Sequence, residues 1–168
     1  YRVAREALDK LRAMGVKRMI MLSGDHQKSA EAIAAQVGLT EAWGDLMPDD
    51  KVEAIKRLRA DGNVAMVGDG VNDAPAMATA TVGVAMGAAG SDVALETADV
   101  ALMADDLSKL PFTVGLSRTT RNIIRQNLVV SLGVVAFLVP ATILGLGIGP
   151  AIMLHEGSTL LVVFNALR

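Results

Sequence analysis

The stretch GDGVNDAPA, residues 68–76, decides the fold of this 168-residue chain. It follows a short apolar run at 64–67 and precedes a helical pattern, so Asp69 and Asp73 lie where a strand ends and a helix begins. Two carboxylates at such a place suit Mg²⁺, which prefers oxygen ligands and keeps several waters. Asn72 adds a donor for a phosphate oxygen. Asp-Gly and Asn-Asp pairs also form plain turns, but the order of strand, glycines, acids and helix favours a binding site.

Working outward from this stretch, helical and strand patterns alternate from residue 1 to about residue 106. The apolar spacing and the flanking glycines predict helices at 3–14, 28–37, 48–60 and 74–80, and strands at 18–22, 42–46, 64–67, 82–86 and 100–103. Short strands that alternate with helices indicate a Rossmann-like α/β fold with a parallel sheet covered on both faces. Ligands of such sheets bind at the carboxyl ends of the strands.

Two other motifs follow predicted strands or begin predicted helices. Ser23-Gly24-Asp25 places a hydroxyl beside a glycine at a helix N-terminus, which is typical of a phosphate cradle. Lys51, in the PDDK sequence at 48–51, can neutralise a phosphate as a point charge. By itself, such a tripeptide is more often a plain turn and such a lysine is usually solvated, so neither motif identifies a site alone.

Residues 107–168 are predicted to form a membrane segment. The stretch 128–146 is uncharged, and 19 residues of helix reach roughly 28 Å, enough for a hydrocarbon core of about 30 Å. A less apolar second helix is predicted at about 150–167. Arginines before the first helix and Arg168 after the second place both outer ends in the cytoplasm. A buried core hairpin in a soluble protein is the alternative, although so small a domain could not cover two such helices.

The second predicted helix carries HEGST at 155–159 within an apolar span. Ionisable groups inside a membrane are costly and usually line an ion path. Ser158 and Thr159 lie three and four residues after His155 and therefore share its face. With Glu156 they offer nitrogen and oxygen ligands that suit borderline divalent ions such as Co²⁺ and Zn²⁺. Alternatively, His155 and Glu156 lie near the outer surface and reach water.

The composition limits the remaining possibilities. The net charge is −2 without a basic cluster, so no nucleic-acid partner is expected. The chain contains no cysteine, which excludes a disulfide framework or a thiolate metal site within it. It starts at Tyr1 with no signal-peptide pattern, and both ends resemble cuts, so we expect a fragment of a longer polypeptide.

Taken together, the motifs resemble the haloacid-dehalogenase-like phosphorylation domain of P-type ATPases. That family's GDGxNDxPAL occurs here as GDGVNDAPAM, its TGD as SGD and its PxxK as PDDK. The resemblance implies that Ser23, within the Ser23-Gly24-Asp25 turn, and Lys51 hold the transferred phosphoryl group. It implies that Asp69 binds Mg²⁺ and that Asn72 and Asp73 complete the site. The family's nucleophile is the aspartate of a DKTG motif, which does not occur in this chain, and ATP binds mainly to a nucleotide domain outside it, so the isolated chain should be inactive.

HEGST further resembles the HEGGT-like motif of the cobalt-transporting subgroup of heavy-metal P-type ATPases. Zinc/cadmium/lead pumps of the family carry a lysine where Val135 stands, and copper pumps carry Tyr-Asn and Met-x-x-Ser motifs that are missing here. The resemblance implies part of a Co²⁺/Zn²⁺-type exporter in the plasma membrane, with several membrane passes and a cytoplasmic phosphorylation domain. A zinc/cadmium exporter, a soluble-type phosphatase domain with a membrane anchor, and a non-catalytic membrane-anchored partner protein are the alternatives.

Overall fold

The computed structural model describes residues 1–69, 72–87 and 92–168, apart from the side chains of 93–95. These residues divide into two compact units, Tyr1–Phe112 and Thr113–Arg168. The helices are α1 Arg2–Ala13, α2 Gln27–Val37, α3 Pro48–Asp61, α4 Ala74–Thr79, α5 Asp92–Thr97, α6 Lys109–Ile143 and α7 Ile148–Ala166, and the strands are β1 Ile20–Leu22, β2 Glu41–Trp43, β3 Ala65–Gly68, β4 Val82–Met86 and β5 Val100–Leu102.

The first unit is an α/β structure with parallel strands, as the sequence predicts. The strands form two sheets, one of β1 and β2 and the other in the order β3-β4-β5, and all pairs are parallel. The strand predicted at 42–46 is displaced: β2 ends at Trp43, because residues 44–46 turn back and bond to the loop after β1. Helix α5 was missed, since six residues cover less than two turns and give little periodicity.

A small apolar core fixes the carboxyl end of β3 and the start of α4. Ile55 of α3, Met66 of β3 and Met77 of α4 are at least 93% buried and pack together with Ala76 and Ala85. Each large side chain contributes roughly 1.5–3 kcal/mol by leaving water. A Cβ on Gly83 would lie 3.1 Å from the Met77 side chain, so β4 approaches α4 closely. This packing holds the end of β3 against α4, and Asp69 and Asp73 lie directly after the one and before the other.

The second unit contains most of α6 and all of α7. Helix α6 has 35 residues and begins well before the predicted uncharged span. It ends at Ile143, three residues after its internal Pro140 and earlier than the predicted end at 146, and Gly145 then turns the chain at φ +104°. Helix α7 begins at Ile148, so Pro150 lies in its first turn, where a missing N–H has no intrahelical partner to lose.

Helix α6 has the length and composition of a membrane-spanning helix. Its most apolar window has a mean hydropathy of 1.8 and none of that window is buried. In the described part of the chain it is the one helix that meets this criterion, so the second predicted span, α7, stays a prediction. The two helices are joined by side-chain hydrogen bonds, in which Asn165 Nδ2 donates to Asn127 Oδ1 at 2.8 Å and to Gln126 Oε1 at 3.2 Å.

Candidate functional site

Lys51 and Asp73 form an ion pair at the carboxyl end of β3. Lys51 Nζ donates to Asp73 Oδ1 at 2.7 Å, and the two side chains are only 15% and 16% exposed. Pro48 begins α3 and thereby places Lys51 in its first turn, while Asp73 directly precedes α4. Partly buried charges are favoured when an opposite charge lies beside them, and the 2.7 Å contact holds the ammonium group of Lys51 at a defined place.

The first glycine of GDGVNDAPA is required by this pair. A Cβ added to Gly68 would lie 2.7 Å from both Cβ and Oδ2 of Asp73, which is closer than carbon and oxygen atoms can approach. Glycine at 68 therefore lets the Asp73 side chain lie against the end of β3. Residues 70 and 71 of the motif lie outside the described residues.

Asp69 lies in the loop directly after β3 and is exposed. Its Oδ1 accepts a hydrogen bond from the backbone N–H of Asn72 at 3.2 Å. Among the described residues, no group of three or more His, Cys, Asp or Glu side chains could hold a metal ion. The Mg²⁺ ligands predicted from the sequence are two carboxylates, and Mg²⁺ commonly binds one or two protein carboxylates together with phosphate and water.

The turn Ser23-Gly24-Asp25 lies at the carboxyl end of β1. Ser23 Oγ accepts from the backbone N–H of Asp25 and donates to Asp25 Oδ2, both at 3.1 Å. A Cβ on Gly24 would lie 3.3 Å from the carbonyl oxygen of Leu46, so the turn rests on the segment after β2. Helix α2 begins two residues after Asp25, which gives the arrangement of hydroxyl, glycine and helix start that the sequence predicts.

An exposed His26–Asp45 pair beside this turn was missed by the sequence analysis. His26 Nδ1 and Asp45 Oδ1 are 2.5 Å apart, and the backbone N–H of Gln27 donates to Asp45 Oδ2 at 3.0 Å. The hydrogen bond and the charge of Asp45 raise the pKa of His26. The hydrogen bonds from His26 and from Gln27 lower the pKa of Asp45. The partners are 19 residues apart in the chain, so no short motif indicates them.

The second unit places HEGST on α7. Ser158 Oγ and Thr159 Oγ1 both donate to the carbonyl oxygen of His155, at 2.7 and 3.1 Å. The hydroxyl hydrogens are thereby occupied, and the hydroxyl oxygens keep lone pairs that can bind a cation. His155 and Glu156 line a groove of about 510 Å³ whose other walls are mostly aliphatic. The remaining lining residues are Leu138, Val139, Thr142, Ile143, Ile148, Ala151 and Ile152.

The predicted site residues therefore lie in three places. Lys51 and Asp73 are in contact, and Asp69 and Asn72 lie in the loop that leads from β3 to Asp73. The Ser23 turn lies at the end of β1, and HEGST lies in the second unit. Both clusters of the first unit follow the carboxyl end of a parallel strand, the position at which ligands bind in such sheets.

Comparison with known proteins links both units to one group of transporters. A family described as haloacid dehalogenase-like hydrolase matches residues 1–81. A probable cadmium-transporting ATPase of Staphylococcus aureus is 52% identical over 167 residues, which are 98% of this chain and 23% of that protein. The zinc-transporting ATPase of Bacillus subtilis is 48% identical over 98% of this chain and 26% of its own length.

A solved structure shows the same relation. The crystal structure of a zinc-transporting PIB-type ATPase in its E2.Pi state superposes with a TM-score of 0.88 at 45% identity, over 98% of this chain and 27% of that one. The match spans both units, so the order of an α/β unit followed by two helices is shared with that protein. The chain spans about a quarter of the length of the curated relatives it matches.

Proposed function

We propose, from the homology of this chain to heavy-metal-transporting P-type ATPases over nearly its whole length, that it is part of an ATP-driven exporter of divalent heavy-metal cations. The first unit supplies the phosphate-holding side of a cytoplasmic phosphorylation site, and the second supplies part of the membrane path of the ion. The nucleophilic aspartate and the nucleotide domain lie in the remainder of the polypeptide, since DKTG does not occur in these 168 residues.

The structural observation that best supports this proposal is the partly buried Lys51–Asp73 pair. Lys51 Nζ is held 2.7 Å from Asp73 at the carboxyl end of β3, where a phosphoryl group would bind in a parallel α/β sheet. A fixed ammonium group stabilises phosphoryl oxygens without having to reorganise when the charge develops. Asp73 thus keeps Lys51 in place and neutralises it when no phosphate is bound.

The other residues of the first unit take complementary roles. Ser23 Oγ and the amides of the Gly24 turn bind the phosphoryl oxygens, and Asn72 adds a further donor. Asp69, with Asp73, would hold Mg²⁺, which when bound neutralises charge on the phosphate.

In the second unit, His155 and Glu156 with the hydroxyls of Ser158 and Thr159 bind the transported ion. His155 and Glu156 line a groove whose other walls are mostly aliphatic, so a cation there would be held by these groups rather than by water. Imidazole nitrogen and oxygen ligands suit Zn²⁺ and Co²⁺, and the relatives named above, a probable cadmium transporter and a zinc transporter, favour Zn²⁺ and Cd²⁺ over Co²⁺ as cargo. Both α6 and α7 then span the plasma membrane.

A two-way phosphorylation assay on the full-length protein tests this function. Ion binding in the membrane should permit phosphorylation by ATP, whereas phosphorylation by inorganic phosphate should proceed from the ion-free state. His155→Ala and Glu156→Ala should each lose ATP hydrolysis stimulated by Zn²⁺, Cd²⁺ or Co²⁺, and both should still form phosphoenzyme from inorganic phosphate.

Ser131→Ala is the matched control, because it removes a polar group from α6 outside HEGST. It should keep both reactions. A general folding defect would lose both reactions in the HEGST variants, and full metal stimulation in both variants would refute their role as ion ligands. Comparing the three metals in the wild-type protein decides which ion is transported.

A further inference from the structure

The segment Gly44-Asp45-Leu46, here called the strap, runs directly beneath the Ser23 turn. Asp45 N–H donates to the carbonyl oxygen of Asp25 at 2.7 Å, and Leu46 N–H donates to that of Ser23 at 3.1 Å. The 3.3 Å approach of a Gly24 Cβ to Leu46 shows how tightly the two backbones lie. The strap therefore lies against all three residues of the Ser23-Gly24-Asp25 turn.

The side chain of Asp45 extends this contact to the start of α2. Its Oδ2 accepts from Gln27 N–H and its Oδ1 pairs with His26 Nδ1. The first amides of a helix have no partner within the helix, and here a carboxylate from a distant segment satisfies one of them. Asp45 has φ +54°, and it is the one described residue other than glycine with a positive φ. Asp, Asn and Gly adopt this conformation more readily than other residues do.

The side chain of Gln27 also holds the strap through hydrogen bonds. Its Nε2 donates to the carbonyl oxygen of Ala42 at 2.9 Å, and its Oε1 accepts from Gly44 N–H at 2.5 Å. A Cβ on Gly44 would lie 2.5 Å from Gln27 Cα and 2.8 Å from the carbonyl oxygen of Asp25, so only glycine fits there. Glycine at 44, the positive φ at 45 and these side-chain bonds all serve one close contact.

We propose that Asp45 is a positioning residue for phosphoryl binding, which fixes the Ser23-Gly24-Asp25 turn through the strap and through the first amide of α2. This inference rests on the proposed function, because it assumes that Ser23 binds the phosphoryl group. The carboxylate of Asp45 accepts hydrogen bonds from the residues that follow the turn, while the backbone of the strap holds the turn itself. Without these bonds the Ser23 hydroxyl and the Gly24 amide would sample several orientations, and the site would bind phosphate more weakly.

Two substitutions at Asp45 separate hydrogen bonding from backbone conformation, because Asn and Gly both tolerate its φ. In Asp45→Asn, the amide oxygen can accept from Gln27 N–H while the amide N–H₂ donates to a neutral His26 Nδ1. In Asp45→Gly both side-chain bonds are lost. If hydrogen bonding positions the turn, Asp45→Asn should behave like wild type and Asp45→Gly should not.

The experiment measures phosphoenzyme formation by the full-length protein as a function of the concentration of inorganic phosphate. Asp45→Gly should raise the half-saturating concentration roughly three- to tenfold, the effect of one or two hydrogen bonds at a half-exposed site. Asp45→Asn should stay within about twofold of wild type, and the half-saturating ATP concentration should stay within about twofold in both, since a loss of nucleotide contacts is not involved. Glu53→Gln, which removes a similarly exposed carboxylate pair on α3, should change neither concentration.

Ser23→Ala separates a failure of this inference from a failure of the proposed function. If Ser23→Ala weakens phosphate binding while Asp45→Gly does not, positioning by Asp45 is refuted and the role of Ser23 stands. An unchanged Ser23→Ala protein would refute the role of Ser23 and with it the inference. Equal losses of phosphate binding in Asp45→Asn and Asp45→Gly would show that the charge of Asp45, and not its hydrogen bonding, is required, and this result would also refute the inference. Should Asp45→Gly fail to fold, Gln27→Ala loosens the strap without changing a positive φ, and wild-type phosphate binding by that variant would refute the inference.

Discussion

Replacing Lys51 by methionine tests the central pair of the first unit. The methionine side chain fills similar space but has no charge, so Asp73, only 16% exposed, would be left without its partner. Removing one member of a buried ion pair costs about 3–5 kcal/mol, and since both side chains keep some solvent contact, we expect about 2–4 kcal/mol of local destabilisation. The same change removes the fixed positive charge at the phosphoryl site, which should slow phosphoenzyme formation by roughly a hundredfold or more.

Hydrogen exchange and phosphorylation can be measured on the same full-length preparations. Exchange at the amides of α3 and α4 reports the local free energy of opening, and acid-stable phosphoenzyme reports the chemistry. Lys56→Met is the matched control, because Lys56 lies on the same helix in an exposed pair with Glu53 and should change local stability by no more than about 0.5 kcal/mol.

The variant Lys51→Met/Asp73→Asn then separates stability from chemistry. If the two charges interact as the 2.7 Å contact indicates, the double variant should recover about 1–3 kcal/mol relative to the sum of the single ones. It should nevertheless form no more phosphoenzyme than Lys51→Met, since the ammonium group is still missing. Phosphoenzyme formation by Lys51→Met at the rate of Lys56→Met would refute the role of Lys51, and additive single effects would refute the coupling.

Three further outcomes are expected. Asp69→Asn should lower phosphoenzyme formation from ATP by roughly two powers of ten or more, because it removes a charged Mg²⁺ ligand. The control Asp61→Asn, on the exposed end of α3, should not change the rate. A wild-type rate in Asp69→Asn would exclude Asp69 as a ligand. Gly68→Ala should separate Asp73 from Lys51 and lower phosphorylation about tenfold or more. The control Gly133→Ala, with no atom within 4 Å of the new Cβ, should be neutral. Equal activity in both variants would contradict the close contact of Gly68 with Asp73. The ring of His26 should titrate by NMR above its ordinary value of 6.5, since Asp45 raises its pKa, and Asp45→Asn should return the midpoint toward 6.5. The stabilisation from a raised histidine pKa is complete below the unfolded value and is lost as pH rises through the folded one. An unchanged midpoint in Asp45→Asn would show that Asp45 does not raise the pKa of His26.

The sequence predicted the elements that repeat a simple pattern and missed those that depend on distant contacts. Alternating apolar runs and helix-ending glycines located α2, which ends at Val37 before Gly38 in a left-handed conformation, and β4, whose bounds agree with the prediction. The predicted end of the second strand was wrong, because hydrogen bonds to the Ser23 turn, rather than strand propensity, determine the conformation of residues 44–46. The predicted helix at 128–146 begins later than α6 does, because largely polar residues precede the uncharged span and show no continuous apolar run.

The site residues show the same limit. GDGVNDAPA is local and could be recognised as a motif, but the contact of Lys51 with Asp73 joins residues 22 apart, and nothing in the spacing specifies it. The role of Gly68 is likewise invisible in the sequence, because a glycine there is equally consistent with a plain turn. Only the structure, in which Asp73 lies against the end of β3, shows that position 68 cannot accommodate a side chain.

The two sheets of the first unit have open edges beside the strands that lead into the candidate site. Among the described strands, β1 pairs with β2 alone and β3 with β4 alone, so each has one edge without a partner. An unpaired edge of a parallel sheet exposes backbone groups that a further strand would satisfy. Strands β1 and β3, which precede the Ser23 turn and Asp69, each have such an edge, and so do β2 and β5.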